Sequence, residues 1–494
     1  MNANMFEKEA NSALWYTQNA SQVCHSWREL TLTSPSLWAR LMDFDYFRWQ
    51  GTDSWAKEVL RRAGSASMWI RTTDVQLYPK HTRNFFFQVL RNSWDQIQIL
   101  KVTMAAEKTT PQQWDALYRN APRLIELDLS LSGFDKIQAS QNRPLFNNHA
   151  PSLLRFKAEY YKFSSQAPWL ANLCSITIEA KFTLHELLDA VKVMTQLEFL
   201  RIDRILNRYA ATDVSQNLPT AQLSKLNHIR ILLSDLRAGA IFIRRLEVPS
   251  NCSLFFGCTH ISKDDMAKNI LKDSFQGLAQ FVERYLEFYG TTKISVACDP
   301  KTVSFKDEPY SEAQNYIEVS LSSTTGWPTE PFLHYVHDIF FETFSFSCLK
   351  KVTVLGTKCL YPPSDLLATF ISYLRAVLPS LQTFDTDERT IRYILDVQEE
   401  SLGLIMPELH TVMLDLMLPS YFQDSSPIFD FLNSRRNAGK PVKVLDLTKC
   451  NSDVGERMSF LEELTGLRIM WTKWGVEDVL EYVCGAGHPE KPPY

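Results

Sequence analysis

A short phrase, Pro-x-Leu followed by an alternating apolar run, returns along this chain at nearly fixed intervals and constrains its fold more than any other feature. Ala121-Pro122-Arg123-Leu124-Ile125-Glu126-Leu127-Asp128-Leu129 is answered by Ala150-Pro151-Ser152-Leu153-Leu154-Arg155-Phe156, the prolines lying 29 residues apart. Leu378-Pro379-Ser380-Leu381-Gln382-Thr383-Phe384 and Met406-Pro407-Glu408-Leu409-His410-Thr411-Val412 repeat the arrangement 28 residues apart. A repeat of this length cannot cover its own apolar face, so it has to stack on its neighbours.

Looser relatives fill the intervals. Ile99–Val102, Leu173–Ile178, Leu197–Ile202, Ile229–Leu233, Arg245–Val248, Lys293–Val296, Tyr316–Val319, Leu349–Val354, Val444–Leu447 and Leu467–Met470 each place apolar residues two apart, the period of a half-buried strand. Helix-sized segments lie between them. Thr110 caps a stretch in which Pro111 comes next and Trp114, Leu117 and Tyr118 face inward. Thr183 to Met194 is expected to bury Leu184, Leu187, Leu188 and Val191, and Ser364 to Leu378 offers Leu367, Phe370, Ile371, Leu374 and Leu378. Strand plus return helix is the leucine-rich-repeat unit, so the expected class is α/β: a short N-terminal helical segment over 1–65 and an irregular horseshoe solenoid over 66–494. Irregular insertions are expected around 249–281, 300–311 and 322–331, where Gly, Pro and Ser accumulate. A plain globular α/β sheet is the alternative, above all over 203–345, where the repeat length wanders.

The N-terminal segment reads differently. Ala20, Val23, Cys24, Trp27 and Leu30 recur at helical spacing on one face. Ser34 is then a suitable N-cap and Pro35 a suitable first-turn residue for a second helix carrying Leu37, Trp38 and Leu41. Val23, Trp27 and Leu37 are expected to hold the two helices together. Gly64 is placed to stop a third helix.

Val-Cys-x-x-Trp-Arg-x-Leu at 23–30, with Ser-Pro-x-Leu-Trp at 34–38, resembles the second half of the F-box in fungal, mushroom-type F-box proteins. Trp55 to Ala66 is similar to the text that follows the box in that family. The first half departs from the pattern: Met1 to Asn19 has no Leu-Pro-x-Glu-like opening, and Leu14, Trp15 and Tyr16 are its only strong apolar cluster. The resemblance implies a substrate receptor that docks on a Skp-type adaptor, and through it on a cullin scaffold of a ubiquitin ligase, while the repeats hold a protein substrate. Cys24, Arg28, Leu30, Pro35, Trp38 and Leu41 are the adaptor-binding residues it implies, although Trp38 reads equally well as core. The alternative is an interaction scaffold whose degenerate box only caps the solenoid.

Other chemistries find little footing. A formal charge of -4 offers no general attraction for nucleic acid, and Arg61-Arg62, Arg244-Arg245 and Arg435-Arg436 read as solvated element ends. A helix-turn-helix over 20–41 would present mainly apolar side chains, with Arg40 its one strong donor to DNA. Cys252, Cys258 and His260 lack a fourth zinc ligand, and His334 with His337 reads as a helix surface. Asp264-Asp265 is a solvated loop pair; no nucleophile elbow or phosphate-binding loop occurs. The expectation is a non-enzymatic protein without cofactor or metal, making no contact with nucleic acid or membrane. Nine cysteines in an odd count and the lack of an apolar spanning run point to the cytoplasm or nucleus.

Overall fold

Apolar residues two apart along a strand fall on one face of a sheet, and residues in register on neighbouring strands then form continuous apolar rows. A computed structural model describes residues 13–48, 52–73, 78–105, 109–132, 143–180, 182–206, 218–233, 235–259, 268–298, 302–307, 316–322, 353–359, 378–397, 406–415, 427–450, 459–472 and 478–487, with 339 and 343. The chain forms two units, one of residues up to 228 with 245–249, the other of 229–244 and 250 onward. Each is mixed α/β.

In the first unit five helices, α1 (Ala13–Ala20), α2 (His25–Leu32), α3 (Pro35–Ala39), α4 (Phe44–Phe47) and α5 (Ser54–Ala63), surround the two-residue strand β1 (Met42–Asp43). The strand β2 (Met68–Thr72), the helix α6 (Lys80–Ser93) and the strands β3 (Ile97–Ala105), β4 (Glu126–Ser132), β5 (Arg155–Ala158) and β6 (Ser175–Ile178) follow. Next come β7 (Phe182–Thr183), α7 (Leu184–Val193), β8 (Phe199–Ile202), β9 (Ile205–Leu206) and β10 (Ala221–Gln222). β1, β2, β3, β4, β5, β6 and β8 are successive parallel neighbours. Met42, Ile70, Leu100, Leu127, Phe156, Ile176 and Leu200 stand in one register row, all buried. On the opposite face Arg71, Lys101, Asp128, Lys157, Thr177 and Arg201 form a polar row, laced by pairs such as Lys101–Glu126 (2.6 Å) and Lys157–Asp128 (3.1 Å).

The recurring Pro-x-Leu phrase has a mechanical role in this geometry. Pro122 and Pro151 begin tight turns after which Leu124 and Leu153 are buried, each leucine N–H returning to a carbonyl three residues back. Two consecutive N–H groups then converge on one carbonyl of the preceding strand entry. Leu154 and Arg155 donate to Ile125, Cys174 and Ser175 to Leu154, and Glu198 and Phe199 to Cys174, all at 2.8–3.0 Å. The turn thereby sets the register of each incoming strand on the last.

Between strands, chain reversal is achieved unevenly. Thr110 to Asn120 has the expected cap and inward residues but winds as a 3-10 helix (Pro111–Tyr118), with Gln113 accepting from the Thr110 N–H at 2.8 Å. α7 is a full α-helix capped by Thr183, which exchanges backbone and side-chain bonds with Glu186, and Leu184, Leu187, Leu188 and Val191 are buried as its spacing requires.

The remaining elements are β11 (His228–Leu233), α8 (Leu236–Arg244), β12 (Leu246–Glu247), β13 (Ser253–Cys258), α9 (Lys268–Tyr289), β14 (Lys293–Cys298), β15 (Thr302–Asp307), β16 (Ile317–Ser322), β17 (Val354–Cys359) and β18 (Thr383–Thr386). α10 (Glu388–Val397), β19 (Thr411–Leu414), α11 (Pro427–Asn437), β20 (Val444–Asp446), β21 (Arg468–Thr472) and β22 (Val479–Val483) complete the chain. β12 pairs with β10 in the first unit. In the second, β14, β17, β18, β19, β20 and β21 are successive parallel neighbours, with Ile294, Leu355, Phe384, Val412, Leu445 and Ile469 in one buried row. The same double donation recurs there, Gln382 and Thr383 to Thr353, and His410 and Thr411 to Gln382.

Three expectations are corrected. The segment 249–281, read as irregular, holds β13 and most of the 22-residue α9. Ser253–Cys258 is buried almost throughout, so no alternation marks it, and Gly239 of α8 lets the helix approach so closely that a Cβ there would sit 2.7 Å from Leu233 Cδ1. The segment 300–311 contains β15, which runs antiparallel between β14 and β16, while β16 pairs parallel with β13. The Tyr316–Val319 run is thus half of an inserted hairpin, not the next strand in series. Arg435, read as a solvated helix end, is wholly buried and donates to the Met406 and Leu409 carbonyls at 2.8 and 3.3 Å, fastening the Pro407 turn. Desolvation pulls its pKa down to about 10. Residues 364–377, 323–331, His260, Asp264, Asp265, His334 and His337 lie outside the described residues.

Candidate functional site

Helix α2, with the turn before it, carries apolar side chains that no described residue of its own unit buries. Its N-terminus is Cys24, in extended conformation, and the turn at 21–23 separates it from α1. The single helical face expected from Ala20 to Leu30 is therefore broken: Ser21 closes α1 by donating from its hydroxyl to the Gln18 carbonyl at 2.7 Å. Val23, Trp27 and Leu30 remain 68%, 55% and 70% exposed. This overturns the expectation that Val23 and Trp27 clamp two helices together, since exposed side chains provide no such clamp. Cys24 and Arg28 are exposed beside them. Trp15 and Tyr16, edge to face at 5.0 Å, extend the exposed aromatic surface on α1, while Leu14 is buried.

The second half of the segment turns inward. Pro35 is exposed at the start of α3, where its lack of N–H is harmless, and Ser34 donates its hydroxyl to Leu30 carbonyl at 2.5 Å instead of capping α3. Trp38 is 1% exposed, and its Nε1 donates to the Thr31 carbonyl at 2.7 Å. The Trp55 ring meets it edge to face at 6.1 Å, and the Arg62 guanidinium lies over it at 4.5 Å. Leu41, Met42, Phe44 and Phe47 are also buried. Of the six residues named for adaptor contact, Cys24, Arg28, Leu30 and Pro35 reach solvent, whereas Trp38 and Leu41 are core. A tryptophan eight residues from the last exposed apolar position, Leu30, carries no periodic signal telling which way it faces.

Two carboxylates join this segment to the sheet. Asp45 accepts from the Thr73 N–H at 3.1 Å, the Thr73 hydroxyl at 2.6 Å and the Tyr78 hydroxyl at 2.5 Å. Asp43 is buried in β1, where its side chain accepts from the Asp45 N–H at 2.9 Å. Burial, then the Asp45 charge, pushes the Asp43 carboxyl up to about 6, against the opposing pull of Arg71 and local N–H groups. α5 ends where expected, at Gly64, whose φ of +55° suits glycine.

Elsewhere, Cys252 and Cys258 are buried thiols outside any disulfide, and burial pushes the Cys252 thiol up to about 12. Among the described residues no group of three or more His, Cys, Asp or Glu side chains is arranged to hold a metal ion. No helix among them is long and apolar enough to cross a membrane. The segment from Val23 to Leu30 is exposed throughout and presents to solvent two aliphatic groups, one indole, one thiol, one imidazole, one carboxylate and one guanidinium. No family model matches this chain, and no curated protein matches it.

Proposed function

We propose that this chain is the substrate receptor of a Skp-cullin-F-box type ubiquitin ligase, with α1 and α2 forming the adaptor-docking face. The observation that carries the reading is the exposure of Val23, in the turn before α2, and of Trp27 and Leu30 on α2, a helix that the buried Trp38 holds through its bond to the Thr31 carbonyl. Large apolar side chains grouped on a rigid element at this exposure are what a partner interface requires. The sequence around them resembles the second half of an F-box. The rest of the chain, on this reading, is a set of degenerate leucine-rich repeats that holds a protein substrate. Support for it comes from the parallel strand order within each unit and from the double donation that recurs at each strand entry.

A cap without adaptor binding is favoured by one specific observation: β1 pairs parallel with β2, so the segment covers the first strand edge. Capping accounts for Leu41, Met42, Phe44 and Phe47. It leaves the α2 row without a role. Co-purification of the full chain with a Skp-type adaptor separates the two readings. Trp27→Ala and Leu30→Ala, both surface changes, are expected to weaken association at least about tenfold while the circular dichroism and melting temperature stay unchanged. A folded parent chain that fails to bind the adaptor overturns the receptor reading and leaves the cap.

A further inference from the structure

Among the described residues, strand β22 is the last strand of the second unit's sheet. It pairs antiparallel with β21, Ile469 opposite Tyr482 and Trp471 opposite Leu480. The Cys484 N–H donates to the Leu467 carbonyl at 2.8 Å, so the alternating residues Leu480 and Tyr482 also turn their backbone groups toward β21. The N–H and C=O groups of Val479, Glu481 and Val483 point the other way. Among the described residues no strand pairs with that side. Val479 and Val483 are 51% and 45% exposed, on the same face as the exposed Glu481.

We infer that this edge accepts an extended segment of a partner protein as an added antiparallel strand, one carrying a Lys or Arg between two β-branched residues. Backbone groups already aligned for pairing supply three hydrogen-bonding positions, and side chains at alternate positions supply the selection. Charge complementarity identifies the occupant. Glu481 stands at the middle of the edge with exposed Asp478 just before it. Arg468 reaches Glu481 only at 3.7 Å, with both side chains about half exposed, which leaves the carboxylate accessible to a second cation. A second copy of this chain, centred on the same residues, would set Glu481 against Glu481, and like charges directly opposite destabilise a strand pair. A basic residue with Val, Ile or Thr two positions to either side meets Glu481 and the two valines in register. This inference stands independently of adaptor binding.

The test uses the full chain and the labelled peptide acetyl-Thr-Val-Thr-Lys-Thr-Val-Thr-amide, whose valines and lysine face Val483, Val479 and Glu481 when it is paired antiparallel. Fluorescence anisotropy is expected to show saturable binding, lost by at least about tenfold in Glu481→Lys, with preference transferred to the same peptide bearing Glu in place of Lys. N-methylation of the lysine amide, which faces β22, is expected to remove binding, whereas N-methylation of the two central threonines leaves it within about twofold. Equal loss from both methylations, indifference to Glu481→Lys, or no binding at ~1 mM peptide overturns the inference. So does a sedimentation profile showing a dimer that Glu481→Lys alters, which would assign the edge to a second copy.

Discussion

Replacing Asp43 by Asn gives a perturbation whose size and sign follow from the structure. Asp43 lies buried in β1, and its carboxyl is raised from 3.8 to about 6 by burial and by Asp45. A folded-state pKa above the unfolded value means that the fold holds the proton more tightly than the unfolded chain does. The resulting stabilisation is complete below the unfolded pKa and is lost as pH rises through about 6. At about 1.4 kcal/mol per tenfold, ionised Asp43 costs the fold about 3 kcal/mol at pH 8 and about 1.6 kcal/mol at pH 5. Asn does not titrate, and its side-chain oxygen can still accept from the Asp45 N–H at the start of α4. The Asn variant is therefore expected to gain about 1.4 kcal/mol over the parent between pH 5 and pH 8. Urea unfolding of parent and variant at each pH measures this difference, and hydrogen exchange at the β1–β2 pair localises it, because intrinsic exchange cancels at equal pH. A difference that stays flat with pH, or grows toward low pH, refutes the electrostatic account.

Other substitutions probe separate levels of the structure. Trp38→Ala removes a fully buried ring and its bond to the Thr31 carbonyl and is expected to cost about 3–5 kcal/mol in urea unfolding, while Trp27→Ala stays within about 0.5 kcal/mol. Thr183→Ala deletes the hydroxyl that caps α7 and should cost about 1 kcal/mol, largely restored by Thr183→Ser. Gly485→Ala meets both a φ of +84° and a Cβ position 2.7 Å from Thr465 Cγ2. It is expected to cost about 2 kcal/mol, and pairing it with Thr465→Ser, which removes the nearest methyl, should recover part of that loss.

The strands after Pro122, Pro151, Pro379 and Pro407 were legible because a turn signal and a two-residue alternation coincide there. α7 was legible from its apolar residues at a period of 3.6. β13 was not, because burial on nearly every residue erases alternation, and β15 was hidden by a polar alternate face that reads as loop. Arg435 was misread because charge normally predicts exposure. Here two turn carbonyls, brought from residues 406 and 409, stand at hydrogen-bonding distance from its guanidinium inside the unit.

The local pattern by itself determined which residues share a face, since side-chain direction along a strand or helix is set by backbone geometry within a few residues. It determined the repeat phrase and the apolar row from Leu100 to Leu200 for that reason, but not the Met42 and Ile70 that begin the row, since Met68 to Ile70 reads as a non-periodic connection. Only the tertiary structure decided what covers each face. Trp38 and Trp27 carry the same side chain in one short segment, yet Trp55 and Arg62 close over the first, whereas no described residue of the unit buries the second. Burial depends on elements distant in sequence, and no local period encodes their arrival.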